Sequence, residues 1–204
     1  MASDLSTESE LASRAKGGDA AAFDQLVRRC DRAIVELAAR LSSDRDEALD
    51  LRQQAWIRIW RGLPGFDQRA RFSTWAFRIV VNLSRDHARE RARREARLAG
   101  ALAAVRAPSR EPAPDQAIER DELAARVRAA LQSLPDDERE CLVLRHFHDL
   151  PAAEIGVVVG RPRTTVQSCL ARALTRLQSR LRPLGREAAA SIRSAPALPQ
   201  RGIP

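Results

Sequence analysis

Side chains suited to contacting nucleic acid are concentrated between residues 161 and 176. Arginine can form two hydrogen bonds with guanine, glutamine can do so with adenine, and short hydroxyl side chains bond to base edges or phosphates. A helix that enters a DNA groove would bring such side chains within reach of the bases. The segment therefore indicates a DNA-binding surface, whose candidate residues are Arg161, Arg163, Thr164, Thr165, Gln167, Ser168, Arg172 and Arg176.

A helix-turn-helix would position these side chains. Residues 151–177 predict a short helix with Ile155 inward, a turn at Gly160, Arg161 and Pro162, and then a longer helix. An ordinary helical hairpin with a solvated face is the alternative on this pattern alone. The inward positions of the longer helix recur at three- and four-residue steps and are Val166, Leu170, Ala173, Leu174 and Leu177.

The charge of the chain favours a polyanionic partner. The 204 residues carry a formal net charge of +8, and Lys16 is the only basic residue that is not arginine. This use of arginine is equally compatible with a GC-rich genome, so the positions matter more than the total. Between Ile155 and Arg186 there are seven arginines and no acidic residue. A second cluster, only partly offset by acids, comprises Arg85, Arg89, Arg91, Arg93, Arg94 and Arg97.

No set of residues is spaced for catalysis or for binding a metal. His146 and His148 lie two positions apart, which places them on different faces of a helix, and no tetrahedral ligand set accompanies them. Cys30, Cys141 and Cys169 are widely spaced without a CxxC motif and are interpreted as small apolar residues. No nucleophile with a base and no nucleotide-binding glycine loop is present. We therefore expect a binding protein with no catalytic residues, no metal and no cofactor.

The sequence also predicts where the protein works. The N-terminus lacks the basic start and apolar run of a signal peptide. No apolar stretch approaches the roughly 20 residues that span a bilayer. We therefore expect a cytoplasmic protein with no membrane insertion.

The periodicity predicts an all-α fold with two small helical domains joined by a flexible linker. Expected N-caps are Asp19 for one helix, Ser43 with Asp46 for the next, and Ser73 or Thr74 for a third. Prolines then interrupt the helical pattern. The predicted divisions are a first domain at 1–97, a linker at 98–117, a second domain at 118–182 and a disordered tail at 183–204.

Two further helical faces are predicted in the first domain. One helix buries Ala48, Leu51, Ala55 and Ile59, which leaves Asp50, Gln53, Ile57 and Trp60 on another face. The next helix buries Trp75, Ile79, Val80 and Leu83, and its outer strip consists of Arg78, Asn82, Arg85 or Asp86, and Arg89.

Three segments resemble the extracytoplasmic-function (ECF) sigma factors. LQSLPDDERECLVLRHFHDLPAAEIGVVVGRPRTTVQSCLARALTRL, from Leu131 to Leu177, resembles their fourth conserved region. ALDLRQQAWIRIW, from Ala48, resembles their second-region helix, and FSTWAFRIVVNLSRDHARERARR, from Phe72, resembles the segment that melts and recognises the minus-ten element. Because three matches occur in the family's order, this resemblance is more specific than a single helix-turn-helix.

The resemblance implies a role for each candidate residue. It implies that Asp50 and Gln53, with Trp60 beside them, bind core RNA polymerase. Trp56 is also on this helix, but we assign its side chain to the hydrophobic core of the domain. It implies promoter DNA as a second partner and an anti-sigma factor as a third. Two sets of residues are implied at the minus-ten element. Exposed side chains that hold an unpaired base are Phe72, Ser73, Thr74 and Trp75. The helix that follows contributes Asn82, Asp86 and Arg89.

The fourth-region residues are implied to contact the minus-thirty-five element, with some departures from the family. Gln167 and Cys169 stand where Lys and Arg are common, Gly156 where Ala is usual, and Leu49 where Glu is usual. These departures shift binding toward the remaining arginines, so promoter preference cannot be copied from relatives. The main alternative is a stand-alone helix-turn-helix regulator that binds DNA without polymerase. A nucleic-acid-modifying enzyme has no support, since catalytic spacing is absent.

Overall fold

The computed structural model describes residues 2–101 and 127–181, with side chains described in 8–98 and 127–181. All regular secondary structure in these ranges is helical, which confirms the all-α prediction. We call residues 2–101 the N-terminal unit and residues 127–181 the C-terminal unit. Their elements are α1 (Ala2–Lys16), α2 (Ala20–Leu41), α3 (Arg45–Gly62), a 3-10 turn (Leu63–Gly65), α4 (Phe72–Ala101), α5 (residues 127–132), α6 (Asp136–His146), α7 (Ala152–Val159) and α8 (Arg163–Leu181).

One of the three predicted helix caps is confirmed. The Asp19 carboxylate accepts the Ala22 N–H at the start of α2, as expected. The prediction of Ser43 as a cap is wrong by one residue. Asp44 caps α3 instead, because its carboxylate accepts the Glu47 N–H while the Glu47 carboxylate accepts the Ser43 N–H.

The start of α4 is stabilised from outside its own sequence. The prediction that Ser73 or Thr74 caps this helix is wrong, because α4 begins at Phe72 and the Glu8 carboxylate of α1 accepts the Ser73 N–H at 3.1 Å. The apolar side of α1 packs into the N-terminal unit, and Lys16 Nζ donates to the Phe66 carbonyl. We did not predict α1. The contacts by which α1 stabilises the unit join it to residues about sixty positions away in sequence.

The C-terminal unit contains the predicted helix-turn-helix. Its helices begin close to the predicted positions, and Ile155 is fully buried. Gly160 ends α7 with a φ of 71°, a left-handed conformation that favours glycine. Gly156 is also required by geometry, since a Cβ there would lie 2.7 Å from the Arg161 carbonyl oxygen. These two glycines let the turn fold tightly against α7.

The two units share one hydrophobic core. Buried side chains of α4, such as Phe77 and Val80, belong to the same cluster as Val143, Ile155 and Val159 of the C-terminal unit. A second cluster joins α5, α6 and α8. None of the helices within 2–101 and 127–181 is both long and apolar enough to cross a bilayer.

The predicted domain limits are only partly within the described residues. Helix α4 continues to Ala101, beyond the limit of 97 predicted for the first domain. Residues 102–126 and 182–204 lie outside the described ranges. The linker at 98–117 and the tail at 183–204 therefore stay predictions.

Candidate nucleic-acid interface

Helix α8 separates a buried side from a polar exposed side. Val166, Ala173 and Leu177 are buried as predicted, Leu170 and Leu174 are partly buried, and Cys169 is fully buried. Thr165 is partly buried, and the Ser168 hydroxyl donates to the Thr164 carbonyl. The exposed side presents the predicted polar set, namely Arg163, Thr164, Gln167, Ser168 and Arg172, along with Arg176.

Three of the candidate arginines are held by acids of α6. Arg161 pairs with Asp137 at 3.1 Å. Arg172 donates from Nε to Glu138 Oε1 at 3.2 Å, and Arg176 Nε lies 3.1 Å from Glu138 Oε2 outside hydrogen-bond geometry. The hydrogen bond to Glu138 raises the pKa of Arg172. Sequence reasoning missed these acids because a carboxylate in the first turn of a helix has an ordinary local explanation.

The cysteines behave as buried apolar groups. Cys141 and Cys169 are both fully buried between α6 and α8, and burial raises the pKa of Cys141 to about 12, so its thiol stays protonated. Burial also raises the pKa of Cys169, whose Sγ lies 3.5 Å from the Asp137 carboxylate. Among residues with described side chains, no three His, Cys, Asp or Glu groups converge on a metal-binding position.

Helix α3 presents the predicted second face. Leu51, Ala55 and Ile59 are buried, and the opposite side leaves Ile57 51% and Trp60 47% exposed. Asp50 and Gln53 lie exposed on this side as well, and Gln54 Nε2 donates to the Asp50 carboxylate at 2.8 Å. The described side chains therefore place two large apolar groups beside an acid and an amide on one helix.

Trp56 lies apart from that face. Its ring is partly buried against the core, and its Nε1 donates to the Asp31 carboxylate at 2.8 Å. Arg52 holds the same carboxylate through two hydrogen bonds. Burial acts to raise the pKa of Asp31, but the hydrogen bonds from Arg52 and Trp56 outweigh it and lower the pKa. The assignment of Trp56 to the core agrees with this position.

The segment at the start of α4 is covered in this structure. Phe72 and Thr74 are each 1% exposed, although we expected them as exposed groups. Phe72 packs with Trp75, which is partly buried, and Thr74 Oγ1 donates to the Glu154 carboxylate of α7 at 2.8 Å. Ser73 is held by Glu8. Phe66 packs on both rings from outside α4, so the burial of this segment depends on neighbouring elements.

The later candidates on α4 differ in accessibility. Asn82 and Arg89 are exposed as predicted. Asp86 is partly exposed and pairs with Arg89 at 2.7 Å and with Arg58 at 3.4 Å. Of the two alternatives predicted for the outer strip, Asp86 lies beside Arg89, whereas Arg85 points toward the C-terminal unit.

Arg85 joins the two units through a bidentate ion pair. Its guanidinium donates to both oxygens of the buried Glu140 carboxylate at 2.8 and 2.6 Å, and to the Val159 carbonyl at 3.3 Å. Burial raises the pKa of Glu140 more than Arg85 lowers it, whereas the same hydrogen bonds raise the pKa of Arg85. Because burial of the Glu140 carboxylate offsets much of its attraction to Arg85, we do not expect the pair to give a large net stabilisation.

Aromatic contacts complete the interface between the units. The His148 ring packs on Phe77 with centroids 4.7 Å apart, and the Arg40 guanidinium lies 3.9 Å above the Phe147 ring. His148 Nε2 is buried without a hydrogen-bond partner. Burial, with a smaller effect of Arg40, lowers the pKa of His148 to about 4. Together with Arg85, Glu140, Thr74 and Glu154, these residues form what we call the inter-unit interface.

Comparison with protein families identifies both units. The model for Sigma-70 region 2 matches residues 26–94, and the model for Sigma-70 region 4 matches residues 124–177. The RNA polymerase sigma-H factor of Pseudomonas aeruginosa is 35% identical over 187 residues, which cover 89% of this chain and 97% of that protein. The ECF RNA polymerase sigma factor SigW of Bacillus subtilis is 30% identical over 175 residues, which cover 83% and 94%.

Solved structures show the same architecture. CnrH in complex with the cytosolic domain of CnrY matches with a TM-score of 0.68 and 25% identity over 88% of this chain and 99% of that chain. The sigma factor RpoE in complex with the anti-sigma factor NepR from Bartonella quintana matches with a TM-score of 0.60 and 25% identity over 78% and 96%. With both regions matched along almost the whole length of its relatives, the chain belongs to the extracytoplasmic-function group of the sigma-70 family.

Proposed function

We propose that this chain is a sigma factor that binds core RNA polymerase and directs it to promoters through minus-ten and minus-thirty-five elements. The observation that carries this function is the presence of both sigma regions in one chain, in register with relatives over 89% of its length. The chain contributes binding surfaces and the polymerase performs the chemistry, so the protein works in the cytoplasm with the polymerase.

The exposed face of α3 is the proposed polymerase-binding surface. It combines Asp50 and Gln53 with the exposed ring of Trp60, and the side chains of Leu51 and Ala55 on the opposite side anchor the helix. An exposed apolar group flanked by polar ones is typical of a protein interface.

The double substitution Asp50→Ala with Gln53→Ala tests this surface. Because both side chains are exposed, we expect an unchanged circular-dichroism spectrum and loss of co-purification with core polymerase. Gln25→Ala, an exposed position on α2, is the matched control and should retain binding. Undiminished co-purification of the double variant would contradict the assignment.

The proposed promoter-binding residues lie on α4 and α8. In region 4, Arg163, Thr164, Gln167 and Ser168 are exposed near the N-terminal half of α8, where a helix can enter the major groove. In region 2, Asn82 and Arg89 are exposed on α4. The remaining proposed contacts are Thr165, Arg161, Arg172 and Arg176 at the minus-thirty-five element, and Phe72, Ser73, Thr74, Trp75 and Asp86 at the minus-ten element.

Contact of the minus-ten segment with DNA requires a change at the inter-unit interface. Thr74 is covered through its hydrogen bond to Glu154, and Phe72 is buried in the core. The Thr74 hydroxyl could bond to a base only after α7, which carries Glu154, moves away from α4. We therefore propose that assembly with polymerase separates the two units before the promoter is opened.

An anti-sigma factor is the proposed third partner. RpoE of Bartonella quintana was solved in complex with the anti-sigma factor NepR, and CnrH was solved in complex with the cytosolic domain of CnrY. The exposed Ile57 and Trp60 side chains of α3 offer an apolar surface that such a partner could cover. Pull-down from uninduced cells tests this, and recovery of the chain only with polymerase would contradict it.

A stand-alone regulator makes a different prediction about DNA binding. Such a protein would shift promoter DNA without polymerase. A sigma factor with its minus-ten segment covered should shift promoter DNA only in the presence of core enzyme, and run-off transcription should start at the same promoter. A specific shift by the free chain, together with no transcription by the reconstituted enzyme, would favour the regulator.

A further inference from the structure

Glu138 is a buried acid among the proposed DNA-binding cations. It lies in the first turn of α6, with its side chain 4% exposed. Its two carboxylate oxygens lie 3.2 Å from Arg172 Nε and 3.1 Å from Arg176 Nε. Both arginines project from α8 with about half of each side chain exposed (53%). One carboxylate thus engages two cations of the helix that is proposed to contact DNA.

The other polar residues of α8 have no such partner. Arg163 near its start and Arg180 near its end form no ion pair with any carboxylate of the described residues. Arg163 and Gln167 are exposed. Helix α8 therefore has an unrestrained polar end and a pair of arginines, one turn apart, whose charge is already partly balanced.

We propose that Glu138 determines specificity by positioning Arg172 and Arg176, so that they meet the minus-thirty-five element in one fixed geometry and do not act as freely placed phosphate contacts on DNA of any sequence. This inference rests on the proposed function. If both arginines moved to phosphates, the buried Glu138 carboxylate would be left without a cation, which is unfavourable. A cation that is already neutralised also releases fewer counterions from DNA. Affinity then depends more strongly on the base contacts made from the other end of the helix.

Glu138→Gln tests the proposal, because it removes the charge and keeps the shape and one acceptor oxygen. Binding of the reconstituted holoenzyme to a short duplex of randomised sequence is measured over a series of salt concentrations. We expect tighter binding and a logarithmic salt slope that is steeper by up to about 1.8, since each new phosphate contact adds about 0.9. The preference for a selected promoter over the randomised duplex should fall.

Glu36→Gln is the matched control for the change in net charge. Glu36 is a partly buried acid of α2 that pairs with Arg32, and among the described residues no ion pair or hydrogen bond joins its carboxylate to α8. Its substitution should leave the salt slope unchanged. An equal effect of both substitutions would overturn the proposal, because it would reflect total charge alone.

A second pair of measurements tests whether Glu138 acts through the arginines. In the background Arg172→Gln with Arg176→Gln, Glu138→Gln should no longer change the slope. If Glu138→Gln does not fold, the arginine double variant is informative by itself. Its slope should differ from that of the wild type by less than one unit, whereas a loss of nearly two units would show that both arginines already contact phosphate and would overturn the proposal.

Run-off transcription by the wild-type holoenzyme is measured first, so that failure of the proposed function can be distinguished from failure of the role of Glu138. Absence of transcription would overturn the proposed function and this inference with it. Normal transcription with an unchanged slope for Glu138→Gln would overturn only the role of Glu138.

Discussion

At the scale of single residues, the contribution of an arginine to DNA binding depends on what else it binds. Arg161 and Arg172 are each paired with an acid of α6, whereas Arg163 and Arg180 have no acidic partner among the described residues. The sequence presents these arginines as one basic cluster. The structure divides them into restrained and unrestrained groups, and the two groups should respond differently to substitution.

Arg163 and Arg180 are unrestrained groups at opposite ends of α8, and we predict different effects. Arg163→Ala or Gln167→Ala should change which minus-thirty-five sequences are used, at a cost of roughly 1 to 3 kcal/mol at the base concerned, because these side chains can reach base edges. Arg180→Ala should weaken all promoters alike and flatten the salt slope by about one unit, because its position suits a phosphate. Holoenzyme binding to a randomised upstream element at several salt concentrations measures both. If Arg163→Ala weakened every sequence equally while Arg180→Ala reordered them, the helix would be docked in the opposite direction.

At the scale of elements, the turn between α7 and α8 sets the position of α8, the proposed DNA-contacting helix. Gly160 has a φ of 71°, and Gly156 lies so close to the turn that its hydrogen atom faces the Arg161 carbonyl. The Arg161 N–H also donates to the Gly156 carbonyl. Backbone approaches of this kind fix the angle at which α8 leaves the turn.

Substitution of Gly156 should disturb this turn. Gly156→Ala would place Cβ 2.7 Å from a backbone oxygen, so we expect a loss of about 1 to 3 kcal/mol in the free energy of unfolding, or a shift of the turn that weakens minus-thirty-five recognition. Urea denaturation and promoter binding measure the two effects. Gly65→Ala is the control, because a Cβ there meets no atom within 4 Å. Equal stability of Gly156→Ala and the wild type, with unchanged promoter binding, would contradict the prediction.

At the scale of the whole molecule, regions 2 and 4 are packed against each other. Arg85, Thr74 and Phe77 of α4 contact Glu140, Glu154 and His148 of the C-terminal unit. Thr74 belongs to the predicted minus-ten segment and is covered by these contacts. It therefore serves the packed arrangement here and, in the proposed function, the promoter-bound one.

Removal of Arg85 should weaken the packing of the two units. Arg85→Ala leaves the buried Glu140 carboxylate without a cation, so we expect the free energy of unfolding to fall by about 3 kcal/mol. This is the low end for a buried pair, because the Arg85 side chain is 29% exposed. Adding Glu140→Gln should recover part of this loss. Small-angle X-ray scattering should show a larger radius of gyration for Arg85→Ala than for the double variant. Superimposable scattering curves for Arg85→Ala and the wild type would contradict the prediction.

The packing should also depend on pH through His148. Its pKa is lowered from 6.5 to about 4, so the neutral ring is favoured in the packed state and protonation opposes packing. The contribution of neutral His148 to the free energy of unfolding is therefore complete above about pH 6.5 and is lost as the pH falls toward 4. The loss amounts to about 2 kcal/mol by pH 5. The free energy of unfolding, measured at pH 7.5 and 5 for the wild type and His148→Gln, isolates this effect from those of His146 and Glu140. An equal change with pH in both proteins would contradict the assignment.

The sequence by itself determined the described helices other than α1, and the exposed faces of α3 and α8. The spacing of apolar residues in α3 and α8 is local, so Ile59 and Val166 could be assigned inward and Trp60 and Gln167 outward without knowledge of any other element. The conserved-region resemblance then connected these faces with a family. Helix caps were less predictable, because Ser43 and Asp44 are adjacent and either side chain could cap the N-terminus of α3.

Only the tertiary structure decided which polar groups pair. Glu138 and Arg172 are 34 residues apart, and Arg85 and Glu140 are 55 residues apart, so no periodicity within a helix relates them. The same holds for Phe72, whose burial in the first turn of α4 follows from the packing of several elements. Contacts of this kind depend on how helices meet in space, and local propensity carries no information about that.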